Sequence, residues 1–183
     1  FGDGRAFGIE IEYFEETEPL GTAGALYYLQ KKLTEDFLLV NGDIIFDIDV
    51  QRFYDFHRKS GAAATLLTHP NSHPYDSGII IADENNRVVR WLAKEDERQW
   101  YKNRVNSGIH LLSPEIFEMS GGNGLFNGGK LDLDRQVLRP LIQSGRVFAY
   151  DSPEYVKDMG TPDRLSSVTD DIKSGRVKNK RLS

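Results

Sequence analysis

Two short stretches carry residue types that could do chemistry. In Leu39-Val40-Asn41-Gly42-Asp43 a carboxylate follows directly on a short apolar run, across a glycine that turns the backbone without a side chain in the way. A hard oxygen donor there suits Mg²⁺, which takes one or two carboxylates together with phosphate oxygens. On this stretch alone, a turn cap is the better account of Asp43. In Pro19-Leu20-Gly21-Thr22-Ala23-Gly24-Ala25-Leu26, two glycines and small residues precede a helical run. Such a loop lets backbone N–H groups approach a phosphate or a flat ligand closely, although small-residue helix starts are also common packing devices.

These stretches need elements to hold them. Phe37–Val40 is continuous and apolar, as expected for a strand covered on both faces. Ile9, Ile11 and Tyr13 alternate with Glu10 and Glu12, which predicts a half-buried strand. Strands are also predicted at 63–68, 78–82, 88–92, 105–112 and 147–150, with Glu84-Asn85-Asn86 closing a hairpin. Helices are predicted over 24–33, 50–61, from Ser113-Pro114, over 133–142, and from the Thr161-Pro162 cap to Gly175. Strands interleaved with helices predict an α/β layered domain, in which ligands sit beyond the carboxyl ends of the strands. That rule points at the residues after Val40.

Gly21-Thr22-Ala23-Gly24-Ala25-Leu26, Val40-Asn41-Gly42-Asp43, Asn106-Ser107-Gly108-Ile109-His110 and Asp158-Met159-Gly160-Thr161-Pro162 follow one another in this order. In types and order they resemble the sugar-1-phosphate nucleotidyltransferases over nearly the whole chain. The resemblance implies a three-layer, Rossmann-like α/β domain with a mixed, mainly parallel sheet over residues 1–172, followed by a basic tail or linker over 173–183. It implies transfer of a nucleotidyl group from a nucleoside triphosphate to a sugar 1-phosphate, with Mg²⁺ held by Asp43 and Asp158. Gly21, Thr22 and Ala23 would touch the nucleotide, Lys94 the sugar phosphate, and Gly78, Asn106 and Gly108 the sugar. The chemistry is consistent with the composition. In-line phosphoryl chemistry needs positioning and charge neutralisation rather than a covalent nucleophile, and the chain has no cysteine and four histidines.

The chain also departs from that pattern. Nothing in Phe1–Pro19 matches the family's glycine-rich triphosphate loop, so a fragment of a longer chain, inactive alone, is expected. Where the family usually has Glu-Lys-Pro, this sequence reads Ala93-Lys94-Glu95, so the usual acidic acceptor for sugar hydroxyls is missing there, with Asp76 or Glu95 as stand-ins. The stretch Trp91-Leu92-Ala93-Lys94-Glu95-Asp96 and the basic tail resemble a subgroup fused to a C-terminal phosphatase, whose product is a guanosine-activated heptose. Two alternatives stay open. A nucleotide-sugar glycosyltransferase would use an Asp-x-Asp pair, for which Asp47-Ile48-Asp49 has the form. A domain that only binds or regulates would account for the absent phosphate loop.

Other features carry less. Gly124–Lys130 nearly matches a phosphate-binding P-loop but has Leu131 where a Ser or Thr should bind the metal. His69, His73 and Asp76 flank prolines in an irregular segment with no further ligand pair, and His57 reads as a packed helix histidine. The net charge is −5, and Lys173, Arg176, Lys178, Lys180 and Arg181 in the tail leave residues 1–171 at −10. This argues against a nucleic-acid partner. No apolar run reaches bilayer length, and no signal-peptide pattern is present, so a cytoplasmic protein without a membrane partner is expected. A homo-oligomer is a further expectation.

Overall fold

The computed structural model describes residues 1–70, 78–93, 95–97, 101–119 and 124–177. Helix α1 spans Ala25–Leu29, and strand β1, Phe37–Val40, leads across Asn41–Asp43 into β2, Ile44–Asp47. Helix α2 covers Val50–Ser60, followed by β3 (Ala64–His69), β4 (Ile79–Ala82), β5 (Val88–Leu92) and β6 (Val105–Leu112). After α3 (Ile116–Met119) comes an irregular helical run ending in α4 (Arg139–Leu141). Then follow β7 (Val147–Asp151), β8 (Tyr155–Asp158) and α5 (Pro162–Lys173).

The fold is α/β, with a six-stranded mixed sheet and a separate two-stranded ribbon of β2 and β8. Strand β6 lies between β1 and β3 and runs antiparallel to both, while β7 pairs parallel to β3. Strands β1, β3, β4 and β7 therefore share one direction, although only the β3–β7 pair is hydrogen-bonded in parallel. Along one edge of β6, β1 pairs with Ile109–Leu112 and β4 only with Val105. Residues 106–108 are thus left between the end of one strand and the start of the other.

Both faces of the sheet are covered. Ala64, Leu66 and Leu112 pack into one cluster with Leu26, Ile116, Val137 and Leu138. On the other face Leu67, Ile109 and Leu111 pack against Phe53 of α2 and Val156 of β8. Phe53, Leu66, Leu67, Ile109 and Leu112 are fully buried, each contributing roughly 1.5–3 kcal/mol. Alternation along β3 and β6 sorts the side chains between the two faces.

Local chemistry explains the ends. Asp49 caps α2 by accepting from the Arg52 N–H at 3.0 Å, and Gly61 closes it at φ +59°. Thr161 caps α5, accepting from the Arg164 N–H at 3.3 Å, with Pro162 at the first helical position. In the hairpin turn Asp83 Oδ1 accepts from the N–H groups of Asn85 and Arg87, and Asn86 adopts φ +62°.

Four sequence expectations fail. Phe37–Val40 is not covered on both faces: among the described residues it pairs only with β6, and Leu38 and Val40 are exposed. Residues 9–13 form no strand, because no neighbouring strand among the described residues offers them a ladder; instead the Ile11 N–H donates to Asp3 O within a local loop. The helix expected over 24–33 is regular only for Ala25–Leu29, starting from Gly24 without a side-chain cap. The helix expected over 133–142 opens as a π turn, Leu133–Leu138, in which the Arg139 N–H reaches back five residues to Asp134 O. Pro140 has no N–H and crowds the Gln136 carbonyl, so the preceding turn widens.

The buried histidines give a first prediction. His110 sits in β6 opposite Leu39 and Leu66, with Nδ1 unpartnered among the described residues, and burial lowers its pKa to about 4. Unfolding frees a histidine that protonates near 6.5, so the unfolded chain binds the extra proton between pH 6.5 and 4 and stability falls as pH falls through that window. His110 alone is worth about 3 kcal/mol there. His57, whose Nδ1 lies 2.7 Å from Thr65 Oγ1, is also lowered by burial, against the pull of Asp36, and acts in the same direction. Chemical denaturation at pH 7 and pH 4.5 should show that His110→Leu loses less stability on acidification than the wild type.

Candidate active site

The β2–β8 ribbon joins Asp43 to Asp158. Ile44 pairs with Asp158 in its register, and the Met159 N–H donates to the Asp43 carbonyl at 2.8 Å. Between the two acids stands Gly160. A Cβ built there would lie 3.4 Å from Asp43 Oδ2 and 3.5 Å from Asp158 Oδ1, so both carboxylates flank one point. Asp158 Oδ1 accepts from the Gly160 N–H at 3.3 Å and from Arg164 at 2.8 Å, which leaves Oδ2 without a partner among the described residues. The Asp43 carboxylate likewise has none there. These free oxygens are hard donors of the kind Mg²⁺ takes. A Cβ at Gly42 would meet nothing within 4 Å, so packing does not account for that glycine.

The opposite wall is a bulge in β6. Leu66 pairs with His110 and Thr68 with Asn106, so four residues of β6 advance against two of β3 and residues 107–108 bow out. Gly108 sits there at φ +77°, and a Cβ on it would come 2.6 Å from Asn41 Nδ2. The Asn41 N–H donates to the Gly108 carbonyl at 3.0 Å, fixing the end of β1 against the bulge. Bulges of this type re-aim side chains beside active sites. Between bulge and ribbon lies a cavity of about 570 Å³, within the range of small-molecule sites. Asn41, Asp43, Asn106, Gly108 and Asp158 line it, and His69, Lys157 and Arg164 are its basic side chains. Lys157 and Arg176 pair with the buried Asp171, as does the Tyr155 hydroxyl, which docks α5 on β8. Hydrogen bonding from Lys157 first, then Tyr155, holds the Asp171 carboxyl below its usual range.

The remaining expected site residues lie elsewhere. Gly21 is at φ +77°, where an added Cβ would lie 2.5 Å from Leu131 O, and Thr22 Oγ1 accepts from the Leu133 N–H at 2.8 Å. Ala23 is buried. This loop is therefore seated on residues 131–133, and none of Gly21, Thr22 and Ala23 lines the cavity. Gly78 packs on Trp91, whose Nε1 would lie 2.5 Å from an added Cβ. Lys94 lies outside the described residues, as do His73, Asp76 and Trp100.

The sequence profile of the family described as Nucleotidyl transferase matches residues 1–175. The chain belongs to that family. It is 32% identical over 178 residues to a mannose-1-phosphate guanylyltransferase of Mycobacterium tuberculosis, covering 96% of this chain and 48% of that one. The mannose-1-phosphate guanyltransferase of Saccharomyces cerevisiae is 27% identical over 170 residues, 90% of this chain and 45% of its own. The chain thus spans about half the length of these relatives. Among solved structures, a putative glucose-1-phosphate thymidylyltransferase from Bacillus anthracis, in complex with a sucrose, superposes with a TM-score of 0.77 at 19% identity. That match covers 92% of this chain and 68% of the other, and it shows the shared fold.

Within this nucleotidyl transferase domain several cavity residues escape sequence reasoning, among them Lys157, Arg164 and Asp134. Asp134 lines the cavity from the π turn, where its carboxyl is raised to about 6, by burial first and by neighbouring Asp132 second. Read as an ordinary amphipathic helix, 133–142 gives no reason to single it out; the proline that widens the turn is the available signal. The Asp-x-Asp form at 47–49 has a structural explanation, since Asp49 caps α2 and lies outside the cavity lining. No helix of the described residues is long and apolar enough to cross a membrane.

Proposed function

We propose that the protein transfers a nucleotidyl group from a nucleoside triphosphate to a sugar 1-phosphate, releasing pyrophosphate. The observation that carries this reading is the pair of carboxylates, Asp43 and Asp158, flanking Gly160 at the rim of a cavity whose far wall is the Asn106–Gly108 bulge. Asp43 and Asp158 would hold a divalent cation such as Mg²⁺, which when bound neutralises charge on phosphate oxygens. The chain's own part is positioning. Arg164 sets positive charge beside Asp158, and the bulge offers Asn106 and open backbone to a polar ligand. The sugar phosphate oxygen attacks the α-phosphorus in line, and pyrophosphate leaves with its electron pair.

The acceptor follows from two considerations. Relatives named for mannose 1-phosphate and guanosine transfer favour a guanosine donor. The stretch 91–96 favours a heptose 1-phosphate acceptor and a phosphatase domain following the basic tail. Pyrophosphate release by the full-length chain, with each nucleoside triphosphate against mannose, glucose and heptose 1-phosphates, tests the proposal. Release only with a sugar 1-phosphate and a divalent cation is expected; no release with any pair overturns it. Product analysis by mass decides between mannose and heptose.

Lys94 provides a second test. An ammonium on a flexible stem suits a point contact to phosphate, so Lys94→Ala should raise KM for the sugar 1-phosphate at least tenfold and KM for the nucleotide little. Lys102, which is paired with Asp151 at 2.8 Å, should do neither when replaced by Ala. Equal effects of the two substitutions would place Lys94 on the solvated face.

A further inference from the structure

The cavity contains an acid that neither the metal pair nor the phosphate needs. Asp134 stands on the wall formed by the π turn, with the Asn106 side chain as its hydrogen-bonding neighbour. No ion pair with Asp134 occurs among the described residues, although Arg135 and Arg139 follow it in sequence. Its backbone is fixed from three sides. Thr22 Oγ1 holds the preceding Leu133 N–H, Asp132 Oδ1 takes the following Arg135 N–H at 2.8 Å, and the Asp134 carbonyl takes the Arg139 N–H.

A carboxyl in this setting is expensive to keep. Burial and Asp132 disfavour its charge, and the groups that favour the charge are Asn106 first, then Arg139 and Arg135. A half-buried carboxyl that lines a cavity and whose charge its surroundings disfavour is the kind of group functional sites use. Its sign also excludes a role at the phosphate end, because a carboxylate repels phosphate. What it can do is accept hydrogen bonds from hydroxyl groups, with two oxygens that suit adjacent hydroxyls of a sugar ring.

We propose that Asp134, oriented by Asn106, is the acid that reads the sugar: its carboxylate accepts hydroxyl hydrogen bonds from the sugar 1-phosphate and fixes which sugar is used. The inference rests on the transferase reading above. It also accounts for the sequence reading Ala93-Lys94-Glu95, in which no acid precedes the lysine. The acceptor comes instead from a helix turn 40 residues further along, and the Gly21–Ala23 loop supports that turn through Thr22. The loop thereby couples the nucleotide side of the domain to its sugar wall.

The test uses the full-length protein with GTP, Mg²⁺ and whichever sugar 1-phosphate the wild type turns over. Asp134→Asn keeps the shape and removes the charge. KM for the sugar 1-phosphate should rise about tenfold to a hundredfold, the loss expected for a hydrogen bond to a charged group, while KM for GTP stays within threefold. Thermal stability at pH 7 should hold or rise, because a carboxylate disfavoured by its surroundings is gone. Among monodeoxy analogues of the sugar 1-phosphate, one should be discriminated against by the wild type and no longer by the variant. If Asp134→Asn does not fold, Asp134→Ser serves in the same cycle. Unchanged sugar KM, equal rises in both KM values, or deoxy discrimination that survives the substitution overturns the assignment while leaving the transferase reading intact. A wild type that releases no pyrophosphate with any sugar 1-phosphate overturns both.

Discussion

Asp43→Ala in the full-length protein is expected to lower cation-dependent pyrophosphate release about a hundredfold to a thousandfold, with the fold preserved. Both halves of that expectation come from the position of the side chain. Its carboxylate is exposed at the end of β1 and makes no hydrogen bond among the described residues, so its removal should change unfolding free energy by less than about 0.5 kcal/mol. The backbone that places it is retained, since the Met159 N–H bonds the Asp43 carbonyl rather than the side chain. Losing one of two carboxylates at a divalent cation removes several kcal/mol of charge stabilisation, roughly tenfold in rate for each 1.4 kcal/mol. The two measurements are turnover at saturating Mg²⁺ and chemical denaturation. Near-normal turnover would remove Asp43 from the metal role, and a collapse of stability would make it a structural residue. Asp158→Ala is a less clean experiment, because that carboxylate also takes Arg164 and the Gly160 N–H.

The parts of the fold that sequence reveals are those with strong local signals. Ala64–His69 and Val105–Leu112 carry the residues that the core buries, Phe37–Val40 is apolar enough to be read as a strand although it lies half exposed, and the two capped helices announce their own ends through Asp49, Gly61, Thr161 and Pro162. The β2–β8 ribbon has no such signal. Each strand has four residues of mixed polarity, Ile44–Asp47 and Tyr155–Asp158, and their partnership joins positions more than a hundred residues apart. Yet that ribbon is what brings Asp43 to Asp158, so the geometry of the acid pair could not be reached from spacing. The motif order named both acids, and the ribbon explains how the chain unites them.

Asp134 was hidden for a different reason. A helical wheel assumes 3.6 residues per turn, and the π turn from Leu133 to Leu138 breaks that count just where the acid sits. The false strand at 9–13 shows the converse error. Alternation of Ile and Glu satisfies the pattern of a strand, but a strand also needs a neighbour, and pattern alone cannot supply one. The glycines divide in the same way. Gly21 and Gly24 are required by close contact with Leu131 and Gly129, and Gly78 by Trp91, whereas Gly42 faces open space. Packing thus accounts for three of the four, and the space beside Asp43 stays open at Gly42.

Gly108→Ala is expected to damage both stability and turnover, for two reasons that one further substitution can separate. At φ +77° an alanine pays roughly 1–2 kcal/mol of backbone strain wherever its methyl points. The methyl would also stand 2.6 Å from Asn41 Nδ2 and 3.1 Å from Asn41 Cγ, so the Asn41 side chain must move. Asn41 is not free to do so without consequence, since its N–H holds Gly108 O and its carbonyl holds the Ile44 N–H at 3.2 Å. The side chain that must move lines the cavity together with Asp43. The expected result is a loss of about 2–4 kcal/mol in unfolding free energy, strain and collision together, with turnover down at least tenfold. Asn41→Ala removes Cγ and Nδ2, and with them the collision. The double variant should therefore recover the collision part of the stability loss and keep the strain part, a coupling of about 1 kcal/mol or more between the two sites. Purely additive losses would mean that Asn41 does not cross the bulge, and that the acid at position 43 is not held in place through it.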